Sequence, residues 1–308
     1  MTDVPHIPVL LNEVLNALVP NGQAPGRVID GTLGAGGHAF ALLEAGAGEL
    51  LGLDQDESAL ALAQDRLSAY HGRCHTEHIN YEYMTDTAAR LGWDGVDAVL
   101  LDVGVSSMQL DQPGRGFSFM ADGPLDMRMD PTTGVTAADL VNSWDATSLA
   151  DIFYKYGEER HGRRLAGVIV ENRPYTTTQD LVGIIDANKP AKWKEKIHPA
   201  TRVFQALRIA VNDELGVLER VIPRAIDLLN PGGRLAIISF HSLEDRIVKH
   251  AFRDAATDCI CPPKQPICTC DKEAFVEVLS RKPITATEDE IARNPRSRSA
   301  KLRVVEKL

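Results

Sequence analysis

The run Val28-Ile29-Asp30-Gly31-Thr32-Leu33-Gly34-Ala35-Gly36-Gly37-His38 constrains this chain more than any other stretch, because a short apolar segment stops in a glycine-rich turn ahead of a helix-like segment. The pattern predicts a strand, a tight turn and a helix start. Glycines 31, 34, 36 and 37 remove Cβ atoms where the main chain must take unusual angles and where a ligand must come close to backbone N–H groups. A second apolar run, Glu49-Leu50-Leu51-Gly52-Leu53-Asp54, follows one helix later and ends in a carboxylate. That is the spacing at which an acidic residue at the tip of a second strand holds a ribose. Leu60, Leu62, Ala63 and Leu67 then recur at helical spacing, which gives a βαβ unit with a right-handed crossover and hence a parallel sheet. The predicted fold class is α/β, doubly wound.

Further strands extend the same sheet. Thr76 to Ile79 reads as a third strand leading into Asn80-Tyr81, where an aromatic ring past a strand tip either lies against a flat ligand ring such as adenine or joins the core. Val96 to Leu101 reads as the fourth, ending in the polar loop Asp102 to Asp111 at the carboxyl edge where open α/β sheets bind their ligands. Ahead of the first strand, His6 to Leu15 predicts an entry turn and a short amphipathic helix.

From Gln112 to Phe204 the strand–helix alternation stops. We read a small all-α insertion with helices over Ala137 to Trp144, Ser148 to Tyr156, Arg160 to Glu171 and Thr178 to Ala187, either selecting substrate or merely stabilising the sheet. The predicted organisation is a core in two parts, 1–111 and 205–308, around an insert at 112–204. After His198-Pro199 a long helix is expected to carry Phe204, Leu207, Val211 and Leu215 on one face and Thr201, Gln205, Arg208 and Asn212 on the other. Leu228 to Gly233 reads as a helix stop and turn, and Arg234 to Phe240 as a buried strand that resumes the core. In the following His241-Ser242-Leu243-Glu244-Asp245-Arg246, Ser242 and Asp245 are expected to cap the next helix, with His241 at the ligand edge.

The net charge of −10 over 308 residues argues against a uniformly positive coat, the simplest nucleic-acid footprint, so phosphate contacts would have to come from local clusters. Three such clusters stand out: Arg293 to Arg303, Arg160 to Arg164, and Lys189 to Arg202 with Lys192, Lys194 and Lys196. Each is either a solvated face or a phosphate contact. Neither a basic leader nor a run near the ~20 apolar residues of a membrane span occurs, which places the chain in the cytoplasm. Cys259, Cys261, Cys268 and Cys270 suggest a zinc knuckle more than disulfides in a reducing compartment, although C-x-C is a less typical ligand spacing than C-x-x-C; no metal ligand is assigned. Cys74 stands alone as a structural thiol.

Taken together, His6 to Leu11, Asp30-Gly31-Thr32 with Gly36-Gly37-His38, Asp102 to Asp111, Arg115 to Asp130, Tyr156 to Arg160, His198 to Leu215, Ser239 to Arg246 and Asn294 to Arg303 resemble the MraW family. These are bacterial S-adenosylmethionine-dependent methyltransferases that modify N4 of a cytidine in the decoding centre of 16S (small-subunit) rRNA. The resemblance spans nearly the whole chain. It implies a Rossmann-like class I methyltransferase sheet carrying a helical substrate domain. It further implies an S-adenosylmethionine site made by Gly36, Gly37 and His38, with Asp54 on the ribose, Tyr81 near the adenine, and Asp102 and Gln109 completing the pocket. The cysteine cluster is no part of that pattern.

Methyl transfer to an exocyclic aryl amine needs an in-line approach and acceptors aimed at the amino protons. Asp102 is placed for this, Ser106 or Ser107 for holding the base, and His241 for positioning or late proton acceptance. No cysteine lies in the loop after the fourth strand, which argues against the thiolate attack that methylation at cytosine C5 requires. A flipped base would stack on Phe117 or Phe119, unless both are core. Two rival classes share parts of this pattern. An NAD-dependent oxidoreductase accounts for the first two strand tips, and a non-catalytic RNA-binding assembly factor accounts for the basic clusters.

Overall fold

The structure is a computed structural model that describes residues 7–189, 198–262, 265, 267 and 269–308. His6, Lys192, Lys194, Lys196 and Cys268 lie outside the described residues. The chain forms two compact units, one made of Met1–Gly104 with Leu215–Leu308 and the other of Val105–Glu214. The sequence reading set the divisions at 111/112 and 204/205.

In the first unit, helix α1 (Leu11–Leu18) precedes strand β1 (Arg27–Asp30), α2 (Gly37–Glu44), β2 (Glu49–Asp54), α3 (Glu57–Arg66), β3 (Cys74–His78), α4 (Met84–Arg90) and β4 (Val96–Asp102). Side chains alternate across these strands, and membership of the two core clusters follows the alternation. Ile29, Leu51, Leu53, Val99 and Leu101 pack on one face with Met84 and Ala88 of α4. Val28, Leu50, Ala98 and Leu100 pack on the other with Val14 and Leu18 of α1, Leu42 of α2 and Leu60 and Ala63 of α3. Each fully buried Leu or Ile contributes about 1.5–3 kcal/mol, and covering both faces is what makes the parallel sheet an interior layer.

The second unit holds α5 (Ser107–Asp111), α6 (Ala137–Ser143), α7 (Ala146–Lys155), α8 (Gly162–Glu171), α9 (Thr178–Ala187) and α10 (Pro199–Asn212). Leu125, Met127, Leu140, Phe153, Leu165, Ile169, Leu181, Val203 and Leu207 form its own core. Four of these helices fall within two residues of the starts predicted for them. The long helix expected through Leu215 is instead interrupted: Asp213 takes φ 48, ending α10, and α11 (Glu214–Leu228) starts afresh. The polar face of α10 is used internally. Asn212 Nδ2 donates to the Met127 carbonyl and its Oδ1 accepts from Met129 N–H, both at 2.8 Å, while Gln205 Nε2 donates to the Tyr156 carbonyl at 2.8 Å.

Returning to the first unit, β5 (Leu229–Ser239), α12 (Ser242–Ala255), β6 (Val276–Val278), β7 (Ile284–Thr285), α13 (Glu288–Arg293) and β8 (Lys301–Lys307) complete the sheet. The strand order is β3-β2-β1-β4-β5-β8-β6, with β7 also on β8. The first five strands are parallel, and β8 runs antiparallel to β5, β6 and β7. The turn expected before β5 is a bulge inside it: Val96 pairs with Leu229 and Ala98 with Arg234, so Asn230 to Gly233 loop out of the ladder. Among the described residues no helix is long and apolar enough to cross a membrane.

Candidate active site

Three parallel strands of the first unit, β1, β2 and β4, each end in an aspartate: Asp30, Asp54 and Asp102. Their registers align, Asp30 pairing with Gly52 on one side and Leu100 on the other, so the carboxylates gather at the carboxyl edge where a doubly wound sheet opens. Asp30 is buried and accepts the Thr32 N–H at 3.2 Å; burial, then the nearby Asp54 charge, push its carboxyl up to about 7. Thr32 Oγ1 accepts the Asp102 N–H at 2.6 Å, tying the glycine turn to the fourth strand tip. Asp54 accepts N–H groups of Gly34 at 2.7 Å and Asp56 at 2.9 Å, and burial raises its carboxyl above the ordinary range.

Asp102 carries the most marked imbalance. Its Oδ1 is buried without a hydrogen-bond partner, and its Oδ2 lies 4.0 Å from His38 Nδ1. Burial first, then the charges of Asp30 and Glu244, push this carboxyl up to about 8. His38 is fixed from its far side. Its Nε2 lies 2.9 Å from the Val9 carbonyl, which can only accept, so that nitrogen bears hydrogen.

The expected Ser242–Asp245 cap of α12 is not formed. His241 is the N-cap residue, and Glu244 closes the box by accepting its N–H at 3.1 Å and that of Phe240 at 2.8 Å. A buried carboxylate against three converging N–H and imidazole groups outcompetes a serine hydroxyl one residue later. Asp245 instead accepts from Arg303 Nε at 2.7 Å and Lys301 Nζ at 3.2 Å, joining α12 to β8. The His241 ring sits against Glu244, with Nε2 at 2.9 Å from Oε1 but off the line of a hydrogen bond. It therefore stands at the β5 tip as a partner of that carboxylate.

The glycine turn divides its labour. At Gly34 φ is +51° and nothing lies within 4 Å of where a Cβ would be, leaving that backbone open to a ligand. At Gly37 a Cβ would meet Pro8 at 2.5 Å, so its bareness serves packing, while its N–H still opens α2. Gly36 likewise abuts Ala63 and Leu67. Tyr81 begins a single turn after β3 and is half-buried, next to Asn80, whose Nδ2 donates to Gln55 Oε1 at 3.0 Å and so joins the β2 and β3 tips. Together Asp54, Gln55, Asn80 and Tyr81 rim one corner.

Ser106, Ser107 and Gln109 belong to the helical unit. Ser106 caps α5: its Oγ accepts the Gln109 N–H at 3.2 Å and Gln109 Oε1 accepts the Ser106 N–H at 3.0 Å, so each side chain engages the other residue's main chain, with Ser107 in the first turn. Phe117 is core, 6% exposed. Phe119 is half-buried against the rings of His198 at 5.2 Å and Phe204 at 5.1 Å. Of the basic clusters, Arg160, Arg163 and Arg164 are all exposed at the start of α8. The C-terminal cluster is less free than its sequence suggests, since Lys301 and Arg303 are held by Asp245; Arg293, Arg296 and Arg298 are exposed.

Sequence reasoning passed over Asp30, Thr32 and Glu244 as individual site residues. The signal was present: three strands that each stop in aspartate. The donor set fits a cationic, ribose-bearing cofactor, because an orphaned carboxylate oxygen among like charges is relieved by a positive centre and Asp54 retains lone pairs for a hydroxyl.

A model of the family described as the MraW methylase family matches residues 3–308. The chain belongs to that family. This methylase is 54% identical over 314 residues to the Ribosomal RNA small subunit methyltransferase H of Geobacter sp. (strain M21), covering all of both chains. It is 50% identical over 310 residues to the protein of the same name from Heliobacterium mobile, covering 98% of this chain and 99% of that one. It is also similar to a solved structure titled as a putative rRNA-methylase from Clostridium thermocellum, at 12% identity and a TM-score of 0.44 over 99% of this chain and all of that one. Family membership makes the chain an S-adenosylmethionine-dependent methyltransferase and sets aside the NAD-dependent oxidoreductase reading.

Proposed function

We propose that this methyltransferase modifies the N4 exocyclic amine of a cytidine at the decoding centre of 16S rRNA, working in the cytoplasm on rRNA or the small ribosomal subunit. The observation that carries the reading is the buried, unpartnered Oδ1 of Asp102, an acceptor held at a strand tip among Asp30, Glu244 and His38. When bound, S-adenosylmethionine supplies an electrophilic methyl on a positively charged sulfur. Asp54 accepts a ribose hydroxyl, the open backbone at Gly34 and the N–H groups opening α2 receive the polar end of the nucleoside, and Tyr81 lines the adenine side.

Asp102 then accepts a hydrogen of the cytosine amine, holding the nitrogen lone pair toward the methyl and taking up the proton released by transfer. Burial and neighbouring charge keep the Asp102 carboxyl protonated near neutral pH in the chain alone, and the carboxylate form that accepts is favoured beside a cationic sulfonium. Asp30 and Glu244 act on Asp102 through charge, the His38 ring stands 4.0 Å from its Oδ2, and His241 positions Glu244. In the helical unit Ser106 and Ser107 open α5 and remain candidates for holding a base, and the arginines at the start of α8 contact phosphates. The only cysteine of the sheet, Cys74 on β3, has its thiol pushed up to about 11 by burial and Asp30, which leaves the unit without a thiolate nucleophile among its described strands.

Mapping modified bases in small-subunit rRNA from cells lacking this protein tests the proposal. Loss of methylation at one cytidine amine, restored by the wild-type gene and not by an Asp102→Asn gene, is expected. An unchanged map, or restoration by Asp102→Asn, would favour a non-catalytic assembly role.

A further inference from the structure

Between α12 and β6 the chain brings three sulfurs together, and nothing in the methyl-transfer site uses them. The Sγ atoms of Cys259, Cys261 and Cys270 all lie within 4.8 Å of one another. Those of Cys259 and Cys270 are 3.8 Å apart. A disulfide would hold its sulfurs at about 2.05 Å, whereas thiolates about 2.3 Å from a tetrahedral zinc stand about 3.8 Å from each other.

The backbone is folded around these sulfurs in the way a thiolate cluster demands. Ile260 N–H points to Cys270 Sγ, Cys261 N–H to Cys259 Sγ and Thr269 N–H to Cys261 Sγ, each at 3.4 Å. Every one of the three sulfurs thus accepts a main-chain N–H, which offsets the negative charge that gathers when several thiolates share one cation. The C-x-C spacing allows this arrangement because the intervening residue turns its own N–H across to the opposite strand of the loop. Among the described residues of the segment Ile260 and Ile267 are 69% and 75% exposed, and the other contacts are hydrogen bonds from Gln265, whose Nε2 donates to the Ile267 carbonyl at 3.0 Å and to Thr269 Oγ1 at 2.8 Å.

We propose that Cys259, Cys261 and Cys270 bind a structural zinc ion as thiolates and that this ion, rather than apolar packing, orders the connection from α12 to β6. Three soft sulfur donors held this close together select zinc over the hard cations. Cys268, the remaining thiol of the cluster, lies outside the described residues, and the proposal rests on the other three.

The test is elemental analysis of the full-length protein, purified reduced and without chelator from cells supplied with zinc. About one zinc per chain is expected. Cys259→Ser and Cys270→Ser should each reduce this to about 0.1 or below, while Cys74→Ser keeps it. A measurement on wild-type protein alone guards against misfolded variants: Cys259, Cys261 and Cys270 should resist alkylation until a chelator removes the metal, with S-adenosylmethionine binding used to show that the sheet remains folded. Wild-type protein with no zinc, iron in place of zinc, full zinc in both serine variants, or alkylation unaffected by chelator would overturn the proposal.

Discussion

At the scale of single residues, Asp102 and Asp30 decide how the site behaves with pH. Both carboxyls are raised in the folded chain, to about 8 and about 7, from an ordinary value of 3.8. Between the unfolded and folded values the native state holds more protons than the unfolded one, so the contribution of these groups to stability is largest at acid pH and declines as pH rises through the folded values. The melting temperature without cofactor should therefore fall from about pH 6 to about pH 8, and Asp102→Asn should flatten that fall. A cationic cofactor lowers both values. Calorimetric titration near pH 7 should show proton release with S-adenosylmethionine and less with S-adenosylhomocysteine, whose sulfur is uncharged; equal release would remove the charge argument. Gly31 makes a steric prediction. A Cβ there would meet Leu101 at 2.5 Å and Tyr81 at 3.0 Å, so Gly31→Ala should cost about 1–3 kcal/mol in denaturant unfolding. The placement of the glycines in the turn and of Asp54 at a strand tip was legible in sequence because their spacing is local. Glu244 was not, since its role depends on β5 delivering it beside β4, and a capping rule applied one residue late named Ser242 and Asp245 instead.

At the scale of elements, the loop from Arg115 to Asp130 is a built structure. Arg128 holds Asp126 through Nε and Nη2, each at 2.8 Å, and Arg115 Nη2 donates to the carbonyls of Arg128 at 3.0 Å and Met129 at 2.9 Å. Asn212 of α10 clamps the same loop at Met127, which is fully buried with φ 64. Asn212→Ala would leave two main-chain groups unpaired and should cost about 1–3 kcal/mol, measured by hydrogen exchange of residues 125–130. Helical periodicity found α6 to α9 because each has one apolar stripe. It overran the end of α10 because Asp213 turns left-handed where the spacing of Leu207, Val211 and Leu215 still reads as one face. Charge runs misled in a similar way: Arg303 is 7% exposed in β8, spent on Asp245, which no linear count of cations can reveal. The exposed run at α8 carries the sharper expectation. Replacing Arg163 and Arg164 with alanine should weaken RNA binding at low salt and reduce the slope of log affinity against log salt by about two.

At the scale of the molecule, two units with separate cores divide the work proposed for them: a sheet whose strand tips gather carboxylates, and a helical unit that presents bare arginines. The doubly wound class was legible because β1, β2 and β4 are apolar runs buried on both faces and each parallel strand is followed by a helical segment, while β3, Cys74 to His78, is a polar edge strand. The antiparallel β8 was not, because its residues read first as a basic tail. The central claim is that a strand-tip carboxylate drives methyl transfer to a cytidine amine. The measurement that tests it most directly is transfer of labelled methyl from S-adenosylmethionine to small-subunit particles from cells lacking this protein, followed by nucleoside analysis, for the wild type and for Asp102→Asn. Label in N4-methylcytidine, formed about 100-fold or more slowly by the variant, is the predicted result. Label at cytosine C5, no label, or an undiminished rate with Asp102→Asn would contradict the account.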